Sequence, residues 1–455
     1  MSRRRGSWSG AALGALDLLL AALTLGGAVL RILPAGRRRA KHAPPGRVLM
    51  IFNTFYSLSV LRSRGAEYTI THRDLDGYFD HVWSVHPLVG ADPEEFEHAP
   101  TGRPAVTALT DRHTVIEGGV RRSPRLERLP MLNFALAQAQ MLRMLSRLAA
   151  REQVGMIRAW EPFYTGLMAL GLGRLHGIPV EIRIAGNYDD IYEAVGDLSY
   201  PRLLRWRWLE RALARFTLSR ADQVVVLSAN NREYAIRNGA REERTEFSGN
   251  WAMIDPVHHV DPAERAPYVD ELGLGDRPFT VTVTRLERVK YPEDVLTVLA
   301  KARERQPELA GLLIGDGSIR GELEERAREL GLDGHLFFVR GRDHLWVSQA
   351  LAAASVVLAP MAGLTLTEAA LAGAPIVTYD YEWHNEFIAD GETGLVVPYR
   401  DTDAMAAAAC ALLEDPERAA RLGDAARSAA LQRMQGDGAL AHERALAERL
   451  LSPSV

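Results

Sequence analysis

Residues 279–318 read FTVTVTRLERVKYPEDVLTVLAKARERQPELAGLLIGDGS, and this stretch decides the fold. Phe279–Thr284 is rich in β-branched residues and has the length of a strand. Pro292 follows, with Glu293 and Asp294 behind it. The fixed φ of proline suits a first helical position, and the two acids favour the positive end of the helix dipole. A helical stretch then runs over Pro292–Arg305, and a second apolar run, Leu309–Ile314, stops at Gly315-Asp316-Gly317. Strand, helix and strand in that order form the repeating unit of a parallel α/β sheet.

The alternation continues on both sides. Downstream, strands are expected at His335–Val339, Ser355–Leu358, Ile376–Tyr379 and Gly394–Val397, with helices at Ile319–Leu330, Leu345–Ala354, Thr365–Ala372 and Asp403–Leu413. Upstream, apolar runs at Val48–Phe52, His81–Val85, Val154–Ala159, Val180–Ile184 and Gln223–Leu227 alternate with helical stretches such as Leu136–Arg151 and Pro201–Arg215. Asn230 followed by Glu233 has the form of a capping box. Asp255-Pro256 and Asp261-Pro262 break the pattern between the halves and mark a hinge. The expected fold class is therefore α/β, with two facing Rossmann-like doubly wound domains and a ligand cleft at the carboxyl ends of their strands. The domain limits read as 46–265 and 266–455, the last helix being free to cross back, after an apolar anchor helix and basic linker over 1–45.

Of the 455 residues, 47% are hydrophobic and 25% charged, which supplies cores for two or three domains and argues against disorder. The single cysteine, Cys410, excludes an intramolecular disulfide and any cysteine-clustered zinc or iron–sulfur site. It reads as a small buried hydrophobe in an alanine-rich helix. The net charge of −4 conceals an asymmetry: residues 1–41 hold eight basic groups and one acid, so the remainder, with 46 basic and 57 acidic residues, stands at −11. Such an acidic body has no footprint for nucleic acid. Gly10–Leu30 is apolar apart from Asp17 and Thr24, and about 20 apolar residues suffice to span a bilayer. It reads as a membrane anchor, as an interfacial helix or as a non-structural leader added by a mis-assigned start.

Chemistry is expected in three loops that follow strands of the second half. In the first, Arg285 directly follows a strand and Lys290 precedes a helix; the two cations either clamp a diphosphate or form a solvated basic loop. The second, Gly315-Asp316-Gly317, allows close backbone approach to a ligand or makes an ordinary tight turn; its spacing to Gly321 is not a dinucleotide fingerprint. The third is Ala359-Pro360-Met361-Ala362-Gly363-Leu364-Thr365-Leu366-Thr367-Glu368. It opens a helix whose first N–H groups can hold an anion. Glu368 lies one turn in: it either takes the vicinal hydroxyls of a sugar or completes a capping box with Thr365.

Together and in this order, these loops resemble the retaining glycosyltransferases of family 4, which have the two-domain GT-B fold. Arg285, Lys290, Gly315-Asp316-Gly317, Phe338 to Gly341, Glu368-Ala369 and Gly391-Glu392-Thr393-Gly394-Leu395-Val396-Val397-Pro398 carry the resemblance. It implies transfer of a sugar from a nucleotide diphosphate sugar to a hydroxyl acceptor, a glycan or lipid-linked molecule, with no cofactor and no metal. It also implies roles: Arg285 and Lys290 bind the diphosphate and stabilise the leaving nucleotide, and Glu368 holds the ribose. Gly363, Leu364 and Thr365 offer backbone N–H groups to the phosphates, while Gly341 and Arg342 lie near the base. With the apolar N-terminus, the protein is expected at a membrane surface with its catalytic domains in the cytoplasm.

The sequence departs from the family in three places. The first of the family's two glutamates, eight positions before Glu368, is Pro360, and Met361 and Ala362 supply no acid. The glycine-rich loop after the first strand is replaced by Asn53-Thr54-Phe55-Tyr56-Ser57. Where the family has a histidine after a mid-domain strand, this chain has Gly186-Asn187-Tyr188-Asp189, and Asn187 is either donor-facing or a turn residue. Two alternatives stay open: a nucleotide-sugar 2-epimerase, which uses the same architecture, and, because of the missing glutamate, a degenerate transferase acting as a scaffold. Among the remaining polar residues, His258-His259 reads as a surface loop and Glu161 as a surface or acceptor-side group. His384 and Glu386 read as helix-start or substrate residues. Trp206 and Trp208, set among arginines, either pack on a helix or meet a membrane.

Overall fold

The computed structural model describes residues 19–20, 46–53, 56–63, 66–91, 100–196, 198–199, 206–248, 254–262, 271–435 and 438–452. The first domain is built on β1 (Val48–Phe52), β2 (His81–Val89), β3 (Ala105–Thr110), β4 (His113–Gly119), β5 (Met156–Ala159), β6 (Val180–Ile184), β7 (Gln223–Val226) and β8 (Thr245–Phe247). They form one sheet in the order β3-β4-β2-β1-β5-β6-β7-β8, parallel except for β3. The second domain contains β9 (Phe279–Val283), β10 (Ala310–Ile314), β11 (Leu336–Val339), β12 (Val356–Ala359), β13 (Ile376–Tyr379) and β14 (Leu395–Val397). Their order is β11-β10-β9-β12-β13-β14, parallel throughout. Helices cover both faces, so the central strands are buried along nearly their whole length, as parallel sheets require. The chain winds away from β1 and from β9 in both directions. The switch points therefore lie between β1 and β5 and between β9 and β12, and both open at strand carboxyl ends.

The structure departs from the sequence reading in local features. The β3–β4 hairpin is absent from that reading, because Ala105–Thr110 is an exposed edge strand without a hydrophobic signature. β2 continues past Val85 through Pro87, where a bulge spares the missing N–H. Helix Ala229–Arg237 is opened by Ser228, whose side chain accepts from the N–H of Asn231, and not by a capping box at Asn230. The apolar segment Gly10–Leu30 lies outside the described residues except for Leu19 and Leu20. Among the described residues no helix is long and apolar enough to cross a membrane.

Helix Gly438–Leu451 packs against the first domain's sheet, its Ala447 buried with Leu49, Ile51 and Met156. Its Glu443 meets Arg183 at 2.5 Å and Arg158 at 3.5 Å; both arginines are also paired with Glu181, at 2.8 and 2.5 Å. The two arginines hold the Glu443 carboxyl down to about 2 against the opposing effect of burial. Removing one member of a buried ion network costs about 3–5 kcal/mol, because the remaining charges stay desolvated. Glu443→Ala is therefore expected to lower stability by that order. The contribution of Glu443 is present above its unfolded pKa and fades as pH falls towards 2, so the gap from wild type should shrink between about pH 5 and pH 2 in chemical denaturation. A pH-independent gap would contradict the network.

Candidate functional site

Two loops at the carboxyl ends of β9 and β10 are strapped together. The N–H of Leu286 donates to the carbonyl of Asp316 at 3.0 Å, and Glu287 accepts from the N–H of Ser318 at 3.0 Å and from its hydroxyl at 2.6 Å. A Cβ on Gly315 would lie 1.8 Å from the carbonyl oxygen of Thr284, and one on Gly317 would lie 2.4 Å from that of Leu286. Both glycines therefore exist for this backbone contact. Asp316 is turned towards Arg340 at 3.5 Å.

The strap presents Arg285 and Lys290. Arg285 is exposed and donates to the Tyr56 hydroxyl of the first domain at 3.3 Å. Lys290 ends a short 3₁₀ turn ahead of Tyr291, which sits at φ 52°. That strained residue is held by its hydroxyl, 2.6 Å from that of Tyr399, and by Arg400 over its ring. Arg400 is itself fixed by Asp294 at 2.6 Å. Burial, and then the charge of Arg285, lower the Lys290 ammonium to about 8. Glu382 acts in the opposite direction from beyond ion-pair distance.

The third loop follows β12. Helix Leu364–Leu371 starts after Gly363 without any side-chain cap, and the N–H of Leu366 turns back to the Gly363 carbonyl at 3.1 Å. Thr365 is not a capping residue and Glu368 does not serve the helix start, so the capping-box alternative is not realised. The loop is fastened by His384, which is fully buried with Nδ1 2.7 Å from the Thr378 hydroxyl and Nε2 3.0 Å from the carbonyl of Ala362. A small depression lined by Thr282, Thr284, Pro360, Met361, Ala362 and Thr365 marks the switch point between β9 and β12.

Glu368 is buried, and burial with the nearby Asp255 raises its carboxyl to about 7. His258 lies 3.8 Å from it. This corrects the expectation of a surface loop at His258: the side chain is fully buried. His258, His344 and Glu368 each place a ligand atom within 4.8 Å of the others, a set able to hold a metal ion. Spacing along the chain could not reveal this group, because its members come from the interdomain turn and two separate helices. Gly341, at φ 67°, and Arg342 stand beyond β11; Arg342 is tied to Glu271 at 2.6 Å and lies over the Trp346 ring.

Across the cleft, Asn187 is fully buried. It caps helix Tyr188–Val195 by accepting from the N–H groups of Asp189 and Asp190, and it donates to Asn230 at 2.8 Å. Its side chain is thus a helix cap, not a group turned to the cleft. Glu161 is likewise an internal cap, accepting from Thr165 N–H at 2.6 Å. Glu386 reaches over to the first domain and accepts from the N–H groups of Ala229 at 2.9 Å and Asn230 at 3.4 Å. Glu382 is absent from the sequence reading; its only signal is an acid three positions beyond the strand Ile376–Tyr379.

Fold and site together define a two-domain protein of the GT-B class. The solved sucrose-phosphate synthase of Thermosynechococcus elongatus shares this fold over 90% of this chain and 100% of that one, with a TM-score of 0.68 at 18% identity. Two family models match: "Glycosyl transferases group 1" over residues 266–429 and "Glycosyl transferase 4-like domain" over residues 79–251. The chain belongs to the family 4 glycosyltransferases. The GDP-mannose-dependent alpha-(1-6)-phosphatidylinositol monomannoside mannosyltransferase of Mycolicibacterium smegmatis is 34% identical over 218 residues, 43% of this chain and 57% of that protein. The alpha-D-kanosaminyltransferase of Streptomyces kanamyceticus is 26% identical over 273 residues, 58% of this chain and 67% of that protein. The first match thus spans little more than half the relative's length.

The raised Glu368 carboxyl has a consequence for the unliganded protein. Its folded state binds the proton more tightly than the unfolded chain, so stability falls as pH rises from about 4.5 through about 7. Glu368→Gln removes that penalty and should stabilise the protein at pH 8 by on the order of 3 kcal/mol, with little effect at pH 4. Urea denaturation at the two values checks this; an equal effect at both would contradict the assignment.

Proposed function

We propose that the protein transfers a sugar from a nucleotide diphosphate sugar to a hydroxyl acceptor with retention of configuration and without a metal ion. The observation that carries this reading is the placement of Arg285, Lys290 and the uncapped end of helix Leu364–Leu371 around one switch point. Lys290 is desolvated and repelled by Arg285, a state that a diphosphate relieves. In the reaction the bond from the anomeric carbon to the diphosphate oxygen breaks, and the bond to the acceptor oxygen forms on the same face. The acceptor proton passes to the departing phosphate. Negative charge grows on the diphosphate, where two cations and the N-terminal end of helix Leu364–Leu371 stabilise it. Glu368 holds the ribose hydroxyls, and Arg342 lies at the base side. The GDP-mannose dependence in the relative's name supports a nucleotide-sugar donor. The 2-epimerase and scaffold readings have no comparable support.

The acceptor is proposed to be a glycan or lipid-linked molecule reached at a membrane surface, with the catalytic domains on the cytoplasmic side. The relative's name, which includes a phosphatidylinositol mannoside, supports a lipid-linked acceptor. Helix Arg207–Leu218 adds physical support. Trp206, Trp208 and Phe216 are 56%, 65% and 44% exposed, and Arg211, Arg215 and Arg220 are exposed beside them. The helix's one acid, Glu210, is buried against Arg207. Aromatic rings with arginines suit a lipid–water interface.

Three outcomes are expected. Arg285→Ala and Lys290→Ala should each reduce nucleotide release from sugar donors by about 10²–10³-fold, with the melting temperature of Arg285→Ala unchanged. Turnover in excess EDTA should equal turnover without it; a loss would direct attention to His258, His344 and Glu368. Binding of the full chain to anionic vesicles should weaken by about fivefold for Arg215→Ala, each basic group near such a surface contributing about 1 kcal/mol. Cosedimentation measures this, and unchanged binding would remove the helix from the interface.

A further inference from the structure

The loop after β13 holds Glu382 at φ 52°, a left-handed conformation that residues with a Cβ adopt only when the surroundings impose it. Its flanks are fixed: Tyr381 stacks on Tyr399 with ring centroids 4.3 Å apart, and Trp383 packs edge-on to Phe387. The carboxylate points into the gap between the domains. There the backbone N–H of Asn187 supports it, and the ammonium of Lys290 and the carboxylate of Asp190 are its charged neighbours. Its Oε1 is buried and has no hydrogen-bond partner. A buried carboxylate oxygen left unpaired is costly, and a strained backbone that keeps it so implies a partner that arrives from outside. The loop around Met361 and Ala362 supplies no acid, and Glu368 is the group proposed above for the ribose.

We infer that Glu382 is the carboxylate that reads the donor's sugar, accepting hydrogen bonds from its hydroxyls beside the diphosphate held by Lys290. The assignment rests on the donor site proposed above and gives it a specificity-determining residue. Ionised acceptors make the stronger hydrogen bonds, and a site built around a hydroxyl rejects an analogue that lacks it. In this assignment Lys290 takes the diphosphate and Glu382 the sugar, so a bare nucleoside diphosphate is expected to leave Glu382 without a partner.

The test is the affinity ratio of a sugar nucleotide to its bare diphosphate, measured by calorimetry on the full chain with GDP-mannose against GDP and UDP-glucose against UDP. Glu382→Gln retains shape, and Glu382→Gly accepts the left-handed backbone, so one of the two keeps the fold. Each variant should reduce the ratio for the preferred donor by about tenfold or more while the diphosphate affinity stays within about twofold. An unchanged ratio in both variants overturns the assignment alone. A diphosphate affinity that falls in step with that of the sugar nucleotide also overturns it, because Glu382 would then act through Lys290. A wild-type chain that binds none of the four nucleotides overturns the assignment and the donor site together.

Discussion

Two cations that repel one another are kept side by side at the carboxyl end of β9, and the second domain is organised around that constraint. Lys290 lies largely out of water with Arg285 as its nearest strong influence, so its ammonium is held below the usual lysine range. Such an arrangement persists only if the surroundings leave the chain no alternative. The strap between residues 284–290 and 315–318 does this from one side, with two glycines that tolerate no Cβ. Tyr291, Tyr399, Arg400 and Asp294 do it from the other. An anion entering this space gains two charge-assisted partners and the dipole of an uncapped helix at once.

The first domain contributes contacts that close over this centre. Tyr56 bonds Arg285, Glu386 caps the helix that begins at Ala229, and the ring of Tyr68 stands edge-on to His344 at 5.0 Å. Closure of two such domains excludes water from the reacting groups. Helix Gly438–Leu451 returns to the first domain through Glu443, so the chain after residue 435 ties the halves together covalently for a second time.

Much of this was legible in the sequence, for reasons that are physical. Parallel strands buried on both faces give continuous apolar runs, so Val48–Phe52, Val180–Ile184 and Ile376–Tyr379 stand at the residues read for them. Arg285 and Lys290 could be read because a strand end and a proline-led helix bracket them. What escaped was of another kind. The strand Ala105–Thr110 lies at an edge, where one face meets water and the pattern weakens. His258 was misjudged because its acidic neighbour is 110 positions away in the chain and adjacent only after folding. Asn187 and Glu161 were candidates for ligand contact because cap residues and ligand residues share the same polar side chains at strand ends; hydrogen bonds to their own helices separate the two uses.

The central claim is that the paired cations grip a diphosphate. The most direct measurement is a crystal structure of the full chain soaked with a nucleoside diphosphate sugar. The account predicts diphosphate density in contact with both Arg285 and Lys290 and at the N–H groups of residues 363–365. Density for the nucleotide elsewhere, in contact with neither cation, would contradict it.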